Sequence, residues 1–188
     1  MNNPEPDQKD IDFVIAIFSK GQFQKALDEA LEITKHSQKN AILHNITGAC
    51  YMQLGKLNSA VNSFNDAITI KPDYAKAHYN LGVTLQELGR LDEAEASYRQ
   101  AIALKPDFAE AHYNLGNTLK ELGRLDEALA SYTQAIALKP DYAEAHRMLT
   151  SMKKFDAQDE QYSKMLELYL DESISEEQRC HINFGLAK

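Results

Sequence analysis

The chain has 188 residues, a formal charge of −8 and an isoelectric point near 5.2. Affinity for nucleic acid comes largely from Lys and Arg side chains that release counterions from phosphates, so this charge argues against a phosphate-binding surface. Cys50 and Cys180 are far apart and lie in no paired motif, so they indicate neither a disulfide framework nor a CxxC site, and a reducing, cytoplasmic setting is expected.

The first residues are polar, include two prolines and lack the layout of a secretory signal, so residues 1–6 are expected to form a disordered lead-in. The apolar run FVIAIF, from Phe13 to Phe18, is too short to cross a membrane, since a spanning helix needs about 20 apolar residues. Its β-branched residues could also indicate a strand. The repeat phase favours a helix. Glycines recur every 34 residues, at Gly21, Gly55, Gly89 and Gly123, and this spacing places FVIAIF on the first helix of a first repeat.

Two consecutive stretches of 34 residues, 75–108 and 109–142, differ at only six positions. Self-similarity at this period is typical of a helical repeat array, and the apolar spacing predicts two helices in each unit. Gly89 is expected to form the turn between them, and proline to end the second helix. Asp107 and Asp141 are expected to cap the next first helices, each with a Glu three residues on.

The motif from His78 to Gly82, HYNLG, is followed at characteristic spacings by Leu85, Gly89, Leu91, Ala94, Tyr98, Ala101 and Pro106. This pattern resembles the tetratricopeptide repeat (TPR). The resemblance implies an all-α fold, a right-handed superhelical solenoid of helix-turn-helix repeats with about eleven helices. It also implies a non-catalytic scaffold that binds an extended peptide or protein segment in a concave groove.

The repeat phase predicts where each unit begins and ends. The first unit is degenerate, with Val14 in place of the glycine, Ala30 in place of the tyrosine and Gln38 in place of the proline. The last residues echo HYNLG again, so the chain is expected to be the N-terminal part of a longer protein, or to end in a capping helix. The expected segments are 1–6 lead-in, 7–40 degenerate first repeat, 41–74, 75–108 and 109–142 regular repeats, 143–174 irregular hairpin, and 175–188 first helix of a truncated or capping repeat.

The six differences between the twin repeats indicate which positions packing leaves free. Three fall on the first helix, on the side that TPR arrays turn into the groove, at Lys76/Glu110, Val83/Asn117 and Gln86/Lys120. The others are Glu95/Leu129 and Arg99/Thr133 on the second helix, and Phe108/Tyr142. Either each repeat presents different groups to an extended ligand, or these exposed sites have drifted.

The resemblance assigns a peptide-binding groove to the first helices. Asn80 and Asn114 would offer one donor and one acceptor each to a peptide backbone. This arrangement resembles the asparagine ladders of O-linked N-acetylglucosamine transferases, whose NLG motif is similar. Alternatively, these Tyr and Asn residues serve only to pack the helices against each other. A carboxylate clamp is not expected, since its basic positions hold Tyr and Glu. The expected groove residues are Asn45, Ala49, Met52, Lys76, Tyr79, Asn80, Val83, Gln86, Glu87, Glu110, Tyr113, Asn114, Asn117, Lys120, Glu121, Arg147 and Ser151.

No motif for catalysis, a cofactor or a metal is recognisable. Histidines recur along the array, but zinc ligands must lie about 2.0–2.1 Å from one centre, and residues one repeat apart are separated by roughly a helix diameter. The histidines are therefore interpreted as packing residues and no cofactor is expected. They are His44, His78, His112, His146 and His181.

Two further interpretations remain open. The chain could be the substrate-recognition arm of a larger enzyme, because the departure after His146 resembles the leading region of bacterial TPR-sulfotransferase proteins. It could also self-assemble end to end, since the first helix is unusually apolar at Ile11, Val14, Ile15 and Phe18.

Overall fold

A computed structural model of the chain describes residues 7–36 and 39–152, and beyond them residues 164, 167–171, 175, 179 and 182. It divides into two compact units, Met1–Pro106 and Asp107–Lys188. The described residues form nine helices and no strand, with further helical residues between 164 and 182. The helices are α1 Gln8–Ser19, α2 Phe23–His36, α3 Ala41–Gln53, α4 Leu57–Ile70, α5 Ala75–Glu87, α6 Leu91–Leu104, α7 Ala109–Glu121, α8 Leu125–Leu138 and α9 Ala143–Met152.

Consecutive helices pair into hairpins, α1 with α2, α3 with α4, α5 with α6 and α7 with α8. The turn glycines all have positive φ, between 71° and 77°, a conformation that costs glycine nothing because it has no Cβ. The second helix of each regular hairpin ends two residues before a proline, as expected of a residue that lacks an amide hydrogen. FVIAIF lies within α1, so the helical prediction is confirmed and the strand is excluded.

The predicted aspartate caps are wrong. The N-cap residue of α7 is Phe108, one position after Asp107, and it makes no side-chain capping hydrogen bond. Asp107 takes part at the start of the helix through its main chain, since its carbonyl oxygen accepts a hydrogen bond from the amide of Ala109 over 3.2 Å. Helix α9 likewise begins at Ala143, two residues after Asp141.

The regular hairpins close around a contact between a glycine and an aromatic ring. A Cβ added to Gly82 on α5 would lie 2.7 Å from the ring of Tyr98, which is fully buried on α6. Any larger residue would therefore push the two helices apart. The same pair recurs as Gly48 with Phe64 and as Gly116 with Tyr132.

In the first hairpin the larger of the two residues lies on the first helix. Val14 takes the place of the glycine and Ala30 takes the place of the aromatic residue, and both are fully buried. Val14 and Ile11 lie in a core shared with α2 and α3. The predicted self-association set is therefore wrong for Ile11 and Val14, which pack inside the protein. Phe18 is half-buried and packs against the same core, whereas Ile15 is 41% exposed and Phe13, on the opposite flank of the helix, is 53% exposed.

The C-terminal unit contains α7, α8 and α9. Helix α8 packs on α7 and on α9, and Ala143 forms a small core with Ile182, against which Leu168 and Tyr169 pack. Half of the predicted irregular hairpin 143–174 and most of the predicted terminal helix 175–188 lie outside the described residues.

Candidate functional site

The first helices α3 and α5 are joined by an asparagine pair. Nδ2 of Asn80 donates a hydrogen bond to Oδ1 of Asn45 over 3.0 Å, and both residues are only 8% exposed. A buried amide is stable only if its polar atoms find partners, so this bond fixes how one repeat stacks on the next. The structure thus gives the asparagine ladder a packing role in this part of the chain.

More accessible groups surround this pair on α3 and α5. Lys76 and Glu87 are exposed, and Nζ of Lys76 lies 4.8 Å from the ring centre of Tyr79, which is half-buried. A cation over an aromatic face is attracted to the ring quadrupole and holds the ring in place. The remaining predicted groove residues on these helices, Ala49, Met52, Val83 and Gln86, are half-buried. Together with the asparagine pair they form what we call the α3/α5 face.

A related surface lies on α7 in the C-terminal unit. Tyr113 is half-buried between two other tyrosines, with ring centres 5.9 Å from Tyr132 and 5.0 Å from Tyr142. Of the other predicted groove residues in this unit, Glu110, Glu121 and Ser151 are exposed, and Asn114, Asn117, Lys120 and Arg147 are half-buried.

Arg147 and Tyr132 are electrostatically linked. Burial, with smaller contributions from Tyr113 and Glu121, raises the pKa of the Tyr132 hydroxyl, while Arg147 opposes that rise. Nε of Arg147 is buried and has no hydrogen-bond partner among the described residues. Tyr132 therefore stays a neutral hydrogen-bond donor at any physiological pH.

The variation between the twin repeats has a structural cause. The hydroxyl of Tyr98 donates to Oε1 of Gln86 over 3.0 Å, whereas the hydroxyl of Tyr132 donates to Oδ1 of Asn117 over 2.8 Å. The amide acceptor has moved by three positions, because Asn117 corresponds to Val83 and Gln86 corresponds to Lys120. The interpretation that packing leaves these two positions free is therefore wrong.

Two of the recurring histidines, His78 and His146, form hydrogen bonds with main-chain carbonyls. Nε2 of His78 lies 2.9 Å from the carbonyl oxygen of Pro72, and Nε2 of His146 lies 2.8 Å from that of Pro140. Each imidazole thus ties a first helix to the proline that ended the helix before it. Over the described residues, no group of three or more His, Cys, Asp or Glu side chains could hold a metal ion. His181 lies outside the described residues.

Comparison with known families decides what kind of array this is. The family described as "TPR repeat" matches residues 48–89 and 85–123, and the one described as "Tetratricopeptide repeat" matches residues 109–142. These matches together span half of the chain. The chain belongs to the tetratricopeptide repeat family.

Solved structures share the fold of this TPR chain. A crystal structure of MamA is 22% identical with a TM-score of 0.70, and the match covers 92% of this chain and 89% of MamA. YrrB, described as a TPR protein with an unusual peptide-binding site, is 20% identical with a TM-score of 0.69, covering 93% and 90% of the two chains. The fold class is thus the all-α solenoid of helix-turn-helix repeats that the sequence predicts.

A curated relative matches over a shorter stretch. Anaphase-promoting complex subunit 3 of Dictyostelium discoideum is 34% identical over 56 residues, which are 30% of this TPR chain and 6% of the relative. The chain therefore spans only a small part of that protein's length. None of the proteins described above supports the predicted sulfotransferase context. Among the described helices of this chain, none is long and apolar enough to span a bilayer.

Proposed function

We propose that this TPR chain is a non-catalytic protein interaction scaffold that binds an extended peptide or protein segment along the exposed surface of its first helices. The observation that carries the proposal is the α3/α5 face, where half-buried apolar groups of Met52, Tyr79 and Val83 adjoin hydrogen-bonding amides. Such a face can bury peptide side chains and pair with a peptide main chain.

The asparagine pair leaves polar groups for a ligand. Asn80 uses one amide hydrogen and Asn45 its carbonyl oxygen in their mutual bond. The side-chain oxygen Oδ1 of Asn80 and the side-chain nitrogen Nδ2 of Asn45 make no hydrogen bond with the described residues. One acceptor and one donor suit the main chain of an extended peptide whatever its sequence.

Charge indicates the kind of ligand. Lys76 and Glu87 on α5, and Glu110, Lys120 and Glu121 on α7, present both signs. A segment of mixed charge or mainly polar character is therefore favoured, and nucleic acid is disfavoured by the net charge of −8. YrrB, with its peptide-binding site, supports a peptide ligand by analogy of fold. We retain the cytoplasm as the proposed location.

The proposal can be tested with peptides selected by the protein itself. Dodecapeptides selected from a random displayed library are synthesised, and their affinity for the 188-residue chain is measured by calorimetry. Tyr79→Ala and Glu87→Lys should each weaken binding, Tyr79→Ala by about tenfold, which corresponds to about 1.4 kcal/mol. Gln100→Ala, an exposed change on α6, is the control. Selected peptides that bind both α5 variants as tightly as the control would contradict a site on the first helices.

Self-association is a second proposal, favoured by the exposure of Phe13 and Ile15 on α1. At 3.6 residues per turn, these two side chains lie on opposite flanks of α1, and a second copy of the chain can bury either flank. Light scattering as a function of concentration should show an oligomer that Phe13→Ser dissociates. Leu125→Ser, which removes a 52% exposed leucine from α8, should have no effect. A wild-type chain that stays monomeric at millimolar concentration rules this proposal out.

A further inference from the structure

A polar pocket of about 280 Å³ opens between α2, α3 and α4, away from the α3/α5 face. On α3 it is lined by residues 44, 47 and 51, whereas the α3/α5 face uses residues 45, 49 and 52 of the same helix. At 3.6 residues per turn, the centres of these two sets are roughly a third of a revolution apart. The residues that line the pocket are Leu31, Thr34, His44, Thr47, Tyr51, Ser59, Asn62, Ser63 and Asp66.

The pocket arises where threonines replace the apolar residues of the regular repeats. Thr47 stands where the later first helices have leucine, at Leu81, Leu115 and Leu149. Thr34 stands where the later second helices have isoleucine, at Ile68, Ile102 and Ile136. Both substitutions fall at the contact between the first and second hairpins, and both put hydroxyl groups where aliphatic side chains pack elsewhere.

The hydroxyl of Thr47 is buried without a partner. The residue is 4% exposed, and Oγ1 has no hydrogen bond among the described residues. Threonine in a helix usually donates to the carbonyl four residues earlier, as Thr84 does over 2.9 Å and Thr118 over 3.0 Å. A buried hydroxyl oxygen without a partner destabilises the folded state, so a ligand that donates to Oγ1 is favoured here.

Two more hydroxyl groups of the pocket, those of Thr34 and Ser63, have already used their hydrogens. Thr34 donates its hydrogen to the carbonyl of Ala30 over 2.8 Å, and Ser63 donates to that of Ser59 over 3.1 Å. Their remaining lone pairs are therefore available to donors from a ligand. Asp66 adds a carboxylate at the rim, where Oδ2 lies 3.7 Å from Nδ1 of His44.

From this arrangement we propose that the pocket binds the guanidinium group of an arginine side chain presented by a partner protein. A guanidinium group has five donors and no acceptor, which complements acceptors spread over three helices. It is also less strongly hydrated than an ammonium group, which suits a pocket with a single carboxylate. This site is separate from the peptide-binding face proposed above, and the net charge of −8 favours a basic partner.

The test uses N-acetyl-L-arginine amide as the probe and its neutral isostere, N-acetyl-L-citrulline amide, as the matched control ligand. Titration of the ¹⁵N-labelled chain should give saturable shifts of amide signals confined to α2, α3 and α4. The citrulline compound should bind at least tenfold more weakly, because it lacks the charge. Equal affinity for both ligands, or no saturable shift with the arginine compound, would overturn the proposal.

The repeats of this chain supply the variants. Thr47→Leu, Thr34→Ile and Asn62→Ala each install the residue of the regular repeats, so each is compatible with the fold, and each should weaken arginine binding by at least tenfold. Thr69→Ala installs Ala103 of the next repeat at an exposed position outside the pocket and should change nothing. Tyr79→Ala should also leave these shifts unchanged, which separates this proposal from the peptide-binding one. Shifts that persist in all three pocket variants would show that arginine binds elsewhere.

Discussion

The hydroxyl of Tyr98 on α6 reaches across its hairpin to Oε1 of Gln86 on α5, 3.0 Å away. The ring is fully buried against Gly82, so the position of the hydroxyl is fixed and the first helix must supply an acceptor for it. The next hairpin supplies one from Asn117 instead. The preceding hairpin has Phe64, which needs no acceptor, and its two corresponding positions are Ala49 and Met52, which offer no amide. In each of the three hairpins, the residues on the first helix thus match the aromatic residue on the second helix: an acceptor is present where the ring has a hydroxyl and absent where it has none.

The first prediction concerns this tyrosine. Gln86→Met removes the acceptor that the Tyr98 hydroxyl uses and should lower the free energy of unfolding by about 1–2 kcal/mol. Adding Tyr98→Phe reproduces the pairing of Met52 with Phe64 and should recover most of the loss. Urea denaturation of wild type, both single variants and the double variant gives the coupling energy as a double-mutant cycle. Additive effects would mean that the bond contributes nothing to stability.

A second prediction transfers the acceptor arrangement of the α5/α6 hairpin into the α7/α8 hairpin. Asn117→Val takes the acceptor from the Tyr132 hydroxyl and should destabilise the protein by about 1–2 kcal/mol. The double change Asn117→Val with Lys120→Gln installs the arrangement of Val83 and Gln86 and should restore stability. Lys120→Gln alone serves as the control and should be nearly neutral, since Lys120 corresponds to Gln86 in the twin repeat. Thermal melts suffice, and a double variant no more stable than Asn117→Val would contradict the transplant.

The sequence predicts the scaffold well because its determinants are local. Gly89 adopts the positive φ that a tight turn needs, and the helices stop before the prolines. The cap prediction fails because α7 begins one residue later than the Asp-x-x-Glu pattern places it, with Phe108 at the N-cap. The twin repeats do not vary independently at each position, because the tyrosine hydroxyl couples Val83/Asn117 with Gln86/Lys120.

Burial could not be predicted for every apolar residue of the first helix. A run as apolar as FVIAIF gives little periodicity, so the sequence does not show that Val14 faces the core and Phe13 the solvent. The sequence does not predict the polar pocket either. Thr34 and Thr47 do stand out when the repeats are aligned, yet their convergence on one pocket depends on how α2 packs on α3.

A third prediction distinguishes two kinds of glycine. Gly82→Ala should destabilise by about 1–3 kcal/mol, because the new Cβ would lie 2.7 Å from the Tyr98 ring and the hairpin would have to open. Gly89→Ala meets no neighbour within 4 Å but is strained at φ +72°, which costs roughly 1 kcal/mol. The smaller side chain of Tyr98→Leu should relieve part of the first loss and none of the second. Equal effects of Tyr98→Leu in both backgrounds, measured by urea denaturation, would show that ring contact is not the cause.

The last prediction concerns pH and His146, which is fully buried on α9. Burial lowers the pKa of His146 below its usual value of about 6.5, although the hydrogen bond to the Pro140 carbonyl and the charge of Asp141 oppose the shift. The unfolded chain then binds a proton more readily than the folded one, so this residue's contribution to stability is complete above about pH 6.5 and is lost as the pH falls toward the folded-state pKa. His146→Gln, whose amide can still donate to the carbonyl, should lose less stability than wild type between about pH 8 and about pH 5. His36→Gln, at an exposed position on α2, should follow wild type. Urea denaturation across this range measures the difference, and parallel profiles for wild type and His146→Gln would mean that His146 does not control it.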